Sequence, residues 1–464
     1  MGGLSRRATI IEELKKSDTP VLLLDSGNIL FKAADKAQIL DQDVLTAKTI
    51  VEVYTTLHYD AMAIGPYDLT AGLELVTRTF ASGTPWISAN LLTPSGKPIF
   101  SPWVVKNIGE TRVGIVGLTG NITPATDYVT VSWQESLPQY IDELSTACDF
   151  IILLSTLEKS ENDAIAELFP QIQLIISSDP KAGNVAPLIK HNSLFTQTHT
   201  RGKYLGILNV SWSKSVVWQA VLTDSPTIIA DLEKRYQQQL QTVEADNKDN
   251  TTKVDRLQNN LRVLKELQAN PQNVQPDTYT FRFRSLADHI KKNPAIDQQL
   301  ELLKQEIAST NRKARMAKPP EVSSGPVDST SSSQGGFTGS GQCGECHNKQ
   351  YAKWLDSAHA RAIESLTREQ QQYNVRCLSC HVTWDMNGNI GSEMRSNLLT
   401  LPQELTNVGC ESCHGAGKMH VDSKGEAKTF KEVTKATCTI CHTPEMDAQF
   451  NFQTRLSQLG CVLD

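Results

Sequence analysis

Cys343-Gly-Glu-Cys346-His347 is the stretch on which the reading of this chain turns, because its pattern returns three times: Cys377-Leu-Ser-Cys380-His381, Cys410-Glu-Ser-Cys413-His414 and Cys438-Thr-Ile-Cys441-His442. Two residues three apart share one face of a helical turn. From that face both thiols add across the vinyl groups of one porphyrin, and the histidine that follows is held beneath the iron. Paired cysteines also bind zinc, but zinc knuckles require no histidine directly after every pair. The pattern therefore predicts four covalently bound haem c groups. Cys343, Cys346, Cys377, Cys380, Cys410, Cys413, Cys438 and Cys441 are the tethers, and His347, His381, His414 and His442 are the proximal iron ligands.

The motif histidines follow one another at intervals of 34, 33 and 28 residues. So short a stretch cannot build a separate core around each haem, so the porphyrins themselves are expected to form the core, stacked closely enough for electrons to hop. Two further histidines lie in this region. His359 falls twelve residues after His347, on a helix expected over Gln350–Leu366, and His420 falls six after His414, in the loop Gly415-Ala-Gly-Lys-Met419. Both are read as distal iron ligands that reach across to a neighbouring haem, with the pairs unassigned. Two irons then lack a second imidazole, and Met386, Met394, Met419, Met446, Cys461 or an open position remains for them. Mixed ligation spreads reduction potentials.

Upstream of these motifs the chain changes character. Residues 317–340, with Pro319-Pro320 and a run rich in Ser, Thr and Gly, read as a flexible linker. Residues 226–316 read as a helical spacer. Apolar stripes at Val254, Leu257, Leu261, Leu264 and Leu267 and at Ile296, Leu300, Leu303 and Ile307 predict a helical hairpin. Residues 1–225 read as an α/β layered domain. Apolar runs at Val21–Asp25, Ala61–Ile64, Trp86–Leu91, Val113–Leu118, Phe150–Ser155 and Gln173–Ser177 predict buried strands, separated by helical patterns at Leu45–Leu57, Leu137–Ala147 and Glu161–Leu168. Alternation over Leu188–Thr223 predicts antiparallel strands. His58 and Cys148, beside apolar runs, are read as core residues. The haem region itself, 341–464, is expected to be mostly α.

The net charge of −6 excludes a nucleic-acid partner, since nothing would neutralise a phosphate backbone. No apolar run is long enough to span a bilayer. Met1-Gly-Gly-Leu-Ser-Arg-Arg7 has no apolar stretch after it and is not a secretory signal. Haem c is attached outside the bacterial cytoplasmic membrane, so a leader is expected upstream and the location is read as periplasmic or cell-surface. Haem propionates add negative charge, which favours a basic or locally basic partner.

Two resemblances accompany this reading. Phe337 to Trp354, Ser357-Ala-His359-Ala and Cys410 to His420 resemble the tetrahaem cytochrome c family typified by the electron acceptor of hydroxylamine oxidoreductase in nitrifying bacteria. That resemblance covers about 337–464. It implies a helical haem domain, stacked haem pairs, periplasmic electron transfer and, in some members, one five-coordinate haem. Relatives often end in a further histidine, where this chain has Cys461. Residues 2–223 resemble the secreted 5′-nucleotidases of the calcineurin-like metallophosphoesterase fold, through Gly2 to Ala8, Leu22-Leu-Leu-Asp25-Ser-Gly27, Tyr59 to Gly65, Ala89-Asn-Leu91, Val113 to Leu118, Ile152 to Ser155 and Gly202 to Gly206. Such enzymes hold two metals. Here Asn28 replaces the bridging Asp, Pro66-Tyr67 replaces an Asn-His pair and leaves Asp68, and Thr156 and Ser177-Ser178-Asp179 stand where histidines are expected. His191 and His199 lie off the pattern. The resemblance implies a degenerate fold, a pseudoenzyme kept for docking, solubility or positioning of the haem domain.

The function expected is electron transfer between redox partners, other cytochromes or a quinol-linked donor. The rivals are reduction of a small nitrogen or sulfur oxide at an open iron, and metal-dependent nucleotide hydrolysis with rewired ligands.

Overall fold

The computed structural model describes residues 3–32, 36, 39–79, 83–122, 125–199, 202–213, 217–218, 226–245, 251–269, 277–317, 336–384, 398–428, 430–443, 446–447 and 449–459. The chain forms two compact units, one of Met1–Lys36 with Thr46–Gln299 and one of Ala37–Leu45 with Leu300–Asp464. Along the chain the first elements are α1 (Leu4–Lys15), β1 (Leu24–Asp25), α2 (Asp41–Thr56), β2 (Ala61–Ala63), β3 (Trp86–Ile87), β4 (Leu91–Leu92), β5 (Trp103–Ile108), β6 (Thr111–Leu118) and β7 (Val129–Thr130). Then come α3 (Trp133–Ala147), β8 (Phe150–Ser155), α4 (Lys159–Leu168), β9 (Leu174–Ser177), β10 (Val185–Lys190), β11 (Ser193–Gln197), β12 (Tyr204–Ser211), α5 (Pro226–Ala245), α6 (Thr251–Ala269), β13 (Thr278–Ser285) and α7 (Pro294–Ala317).

The first unit is a layered α/β structure. Its main sheet has the order β10-β11-β9-β8-β6-β5, and β1-β2-β3 form a second sheet. The pairs β6–β8, β8–β9 and β9–β11 are parallel, while the edges β5 and β10 pair antiparallel. A strand points successive side chains to opposite faces, and the apolar runs show what each face meets. Val116, Leu118, Ile151, Leu153 and Ile175 pack with Leu137, Ile141 and Leu144 of α3 and Ile165 of α4. Ile115, Ile152, Leu154 and Leu174 pack with Ala61, Ala63 and Ile87 of the second sheet. Burial on both faces explains why these strands are continuously apolar. The sheets approach closely at Gly117, where an added Cβ would lie 2.6 Å from the Ile87 carbonyl oxygen. Cys148 is buried as expected, but His58 is exposed, in a left-handed turn (φ 55°) just after α2.

The region 226–316 differs from the helical spacer the stripes predicted. Thr278–Ser285 is a strand, β13, paired antiparallel with β12 over all eight residues. Its alternating sequence Thr-Tyr-Thr-Phe-Arg-Phe-Arg-Ser has the period of a sheet face, not of a helix. The helical pairing also differs: Leu257, Leu261 and Leu264 of α6 pack on Ile229, Leu232 and Tyr236 of α5, not on α7. A short connection between α5 and α6 makes them antiparallel neighbours, whereas β13 intervenes before α7.

The second unit is helical: α8 (Ser340–Cys346), α9 (Asn348–Leu355), a 3₁₀ turn at His359–Arg361, α10 (Ala362–Arg368), α11 (Val375–His381), α12 (Cys410–His414), α13 (Lys418–Asp422), α14 (Lys435–Thr439) and α15 (Phe452–Leu459). The single helix expected over Gln350–Leu366 is broken before His359. The Arg361 guanidinium donates to the carbonyls of Leu355 and Asp356, satisfying the last turn of α9 and turning the chain there. His420, expected in a loop, lies on α13. The expectation that only porphyrins form the core is corrected around the second motif. There Leu366, Val375, Leu378, Val382, Trp384, Leu398, Leu399, Leu401 and Leu405 make an apolar cluster of their own. By contrast α9, α13, α14 and α15 bury no residue.

Candidate haem-attachment site

Each cysteine pair lies on or at the end of a short helix: Cys343 and Cys346 on α8, Cys377 and Cys380 on α11, Cys410 and Cys413 on α12, Cys438 on α14 with Cys441 just beyond it. The helical spacing puts both thiols of each pair on one side. Motifs distant in sequence are also brought together. The Cys343 and Cys410 thiols are within hydrogen-bonding reach of each other, and so are those of Cys380 and Cys441. These contacts pull the Cys410 and Cys380 thiols below the usual range and push their partners up. The first motif thus neighbours the third, and the second neighbours the fourth.

The histidines fall into the same two groups. The His347 and His420 rings are 6.2 Å apart between centroids with planes inclined 21°. The His359 and His442 rings are 6.1 Å apart and inclined 62°. His414 feels His347, and His359 feels both His442 and His381; burial, then these neighbours, hold His359 and His414 below the usual imidazole range. A depressed imidazole is neutral at physiological pH, which is the form that binds a metal.

The donor set fits haem iron. Two imidazoles on opposite faces of one metal, with metal–nitrogen bonds of about 2 Å, place their centroids about 6 Å apart, the separation found in both pairs. Nδ1 of His420 lies 2.8 Å from the Ala427 carbonyl, Nδ1 of His381 lies 2.8 Å from the Ala362 carbonyl, and Nδ1 of His442 lies 3.1 Å from the Asp447 carboxylate. Nδ1–H donated this way fixes the tautomer and leaves Nε2 for a metal. The buried hydroxyls of Ser357 and Thr443, near His359 and His442 in sequence, have no hydrogen-bond partner and are available to an added polar group. Met419 and Met446 are exposed, while Met386, Met394 and Cys461 lie outside the described residues.

Residues that the motif reading missed hold this site together. Glu411, inside the third motif, is buried, and its carboxylate accepts from the backbone N–H groups of Thr338, Gly339 and Gly417. That ties the entry to α8 to the loop leading to His420. Gln42 is buried too. Its Oε1 accepts from Val375 N and Asn311 Nδ2, and its Nε2 donates to Asn374 Oδ1 at the start of α11. A buried carboxylate or amide with all its partners supplied is the available sequence signal only once the fold is known.

The positions that resemble a dimetal centre are occupied by internal hydrogen bonds. Asp68 accepts from the N–H groups of Asn28 and Gly65 at 2.8 Å, and from Ile29 and Leu30 at 2.8 and 2.9 Å. Burial pushes its carboxyl up to about 6 against the pull of those bonds. The Asn28 side chain accepts from Tyr67 N and donates to Ser178 O, Thr156 Oγ1 accepts from Gly120 N, and Gln197 bonds both N and O of Asp179. Among the described residues no group of three or more His, Cys, Asp or Glu side chains is placed to hold a metal ion. Asn28, Tyr67, Thr156, Ser177 and Ser178 are neutral, and the Asp68 and Asp179 carboxylates are committed to backbone N–H groups, so the set does not fit a pair of divalent cations.

Comparison with known proteins agrees with both halves. Residues 342–415 match the family model "Cytochrome c554 and c-prime", which takes in the first three motifs; the fourth lies beyond it. The chain is 29% identical over 246 residues to a snake venom 5′-nucleotidase of Naja atra, covering 46% of this chain and 45% of that protein. It is 24% identical over 284 residues to a 5′-nucleotidase of Homo sapiens, covering 50% and 47%. The chain thus spans about half the length of the curated relatives it matches. Among solved structures it is similar to a 5′-nucleotidase precursor of Thermus thermophilus (17% identity, TM-score 0.46, 66% of this chain and 54% of that one). It is also similar to the calcineurin-like phosphoesterase YfkN of Bacillus subtilis (16%, TM-score 0.38, 66% and 89%). The C-terminal region therefore carries a cytochrome c554 domain, which implies covalent haem c and multihaem electron transfer. The N-terminal region is similar to 5′-nucleotidases.

Proposed function

We propose that this chain is a tetrahaem c-type cytochrome that passes electrons between protein redox partners at the periplasmic or outer surface of a bacterium. Bound haem c supplies a reversible one-electron couple at its iron. The chain's own part is to tether, ligate and space those groups. The thiols of Cys343 and Cys346, Cys377 and Cys380, Cys410 and Cys413, and Cys438 and Cys441 form the thioethers. His347, His381, His414 and His442 are the proximal ligands. His420 shares an iron with His347, and His359 shares one with His442. The observation that carries this reading is the separation of about 6 Å in both histidine pairs, each made from residues of different segments. The close approach of Cys343 to Cys410 and of Cys380 to Cys441 supports stacking of the haems in two pairs. Other cytochromes or a quinol-linked donor are the partners this role calls for. Among the described residues no helix is long and apolar enough to cross a membrane. The front unit acts as a pseudoenzyme, a fold kept without its metals. The test is a haem stain on a denaturing gel with the intact mass: a mass increase of four haems supports the reading, and the bare polypeptide mass refutes it.

A second reading, reduction of a small nitrogen or sulfur oxide at an open iron, is favoured by one observation. The unit from Leu300 onward contains six histidines, and the two pairs use four of them. His381 and His414 therefore have no imidazole left to share an iron with. A high-spin ferric signal that shifts with nitrite, hydroxylamine or nitric oxide distinguishes this reading, and fully low-spin irons dismiss it. Phosphate release from AMP with added divalent metal tests the front unit, and no turnover is expected.

A further inference from the structure

One histidine of each pair has its outer ring nitrogen held, and the two holders differ. His420 is held by a neutral acceptor, the Ala427 carbonyl. His442 is held by a charged one, with Asp447 Oδ2 3.1 Å from its Nδ1. A turn built on the motif's own tail places the carboxylate: the N–H groups of Met446 and Asp447 both donate to the Thr443 carbonyl, and Phe450 N donates to the Asp447 carbonyl. Phe450 then lies over the imidazole, 4.8 Å between centroids and 24° between planes. The imidazole is thus fixed at its edge by a carboxylate and on its face by a ring. The same oxygen, Oδ2, faces Arg455, whose Nη2 is 3.6 Å away.

We infer that Asp447 is a positioning residue that lowers the reduction potential of the haem held by His359 and His442 relative to the haem held by His347 and His420. This rests on the electron-transfer reading above. A carboxylate that accepts Nδ1–H draws the proton toward itself and leaves more negative charge on the ring, which raises the basicity of Nε2. A more basic ligand stabilises ferric over ferrous iron, so the potential falls. A backbone carbonyl does the same more weakly. Outer hydrogen bonding is one of the protein's levers on haem potential. Arg455 opposes the effect, because its positive charge competes for the same oxygen. The consequence is a built-in asymmetry: two bis-imidazole haems of like ligation are set at different potentials by one side chain.

The experiment is a spectroelectrochemical redox titration of the haem-loaded full chain, with haem content measured on the same samples. Asp447→Asn keeps the size and an acceptor oxygen but removes the charge. It is expected to move one midpoint upward, with haem content and the other midpoints unchanged, and Asp447→Glu is expected to restore part of the shift. Arg455→Gln relieves the carboxylate of its competitor and is expected to move the same midpoint downward. This variant also tests the idea if Asp447→Asn fails to mature. Midpoints unchanged in a fully loaded variant, or shifted equally, overturn the inference and leave the electron-transfer reading intact. A wild-type chain without haem overturns the reading on which it rests.

Discussion

Arg376 and Asp43 form a two-point ion pair, Nη2 to Oδ2 at 2.6 Å and Nε to Oδ1 at 3.1 Å, although 333 residues separate them in sequence. Arg376 immediately precedes Cys377 on α11, and Asp43 stands in the first turn of α2. Both residues are largely shielded from solvent, so the paired geometry is strong and its loss weakens the tie between α2 and α11. Together with Gln42 this makes residues 37–45 part of the haem-carrying unit. Asp43→Ala is expected to cost that unit about 1–3 kcal/mol. Loss of ellipticity on heating, followed in the haem-loaded chain, checks it: an unchanged midpoint would show that the pair contributes nothing.

Asp68 gives the front unit a pH dependence of defined sign. Its carboxyl is held near 6 in the fold, against 3.8 as the ordinary value. Between those values the folded chain binds a proton that the unfolded chain does not, so stability falls as pH rises. The contribution is complete below about pH 4 and is lost as pH passes through 6, about 3 kcal/mol in all. Asp68→Asn abolishes this slope. It also lowers stability at every pH, because an amide offers one acceptor oxygen to four N–H groups. Denaturant unfolding at pH 4.5 and pH 7.5, wild type beside variant, reads the difference; equal slopes in both proteins would falsify the assignment.

The parts of this molecule that were legible in the sequence are those set by local period or spacing. Phe150–Ser155 is buried on both faces and reads as an uninterrupted apolar run, and the four thiol pairs are fixed by their spacing. What depends on a distant partner was not legible. Thr278–Ser285 alternates with the period of a strand, but five of its eight residues stay exposed, so it gains its place only once β12 pairs with it. Val254–Leu267 offers the same apolar stripe to any helix, and only the chain path assigns it to α5. His359 and His420 could be singled out as candidate ligands, but which ring each one faces is set by tertiary placement. Asp447 and Gln42 lie outside the motifs and Glu411 fills a variable position within one; their importance lies in hydrogen bonds, and hydrogen bonds of this kind leave no periodic trace.

Glu411 supports from behind the segment that carries His420, the proposed distal ligand. Its two oxygens serve three backbone donors, at Thr338, Gly339 and Gly417, and the last of these immediately precedes the helix that carries His420. A Glu411→Ala substitution leaves these N–H groups without their acceptor, at a cost of about 2–4 kcal/mol. The loop to His420 is then freed, so on the proposed pairing the effect appears first at the iron shared by His347 and His420. The expected signature is partial conversion of one low-spin component to high spin at temperatures where the wild type is unchanged, followed by electronic spectra. A uniform loss of haem at every site instead would assign Glu411 a general folding role.

The pairing of histidines makes a further prediction that separates two irons. If His420 and His347 share one metal, and His359 and His442 another, then His420→Ala and His359→Ala each open a different iron. Each variant is expected to gain one high-spin component, and the double variant two. Added imidazole should restore the low-spin form in each, because the cavity left by the side chain admits a free ring with the same donor nitrogen. The single variants should differ in potential as well. The iron opened by His359→Ala retains His442 with its Asp447 carboxylate, whereas the iron opened by His420→Ala retains His347, beside which no such carboxylate is placed among the described residues. Low-temperature electron paramagnetic resonance of the two variants reads the spin state directly, and a His359→Ala protein that stays fully low-spin without added imidazole would dissolve the pair His359–His442.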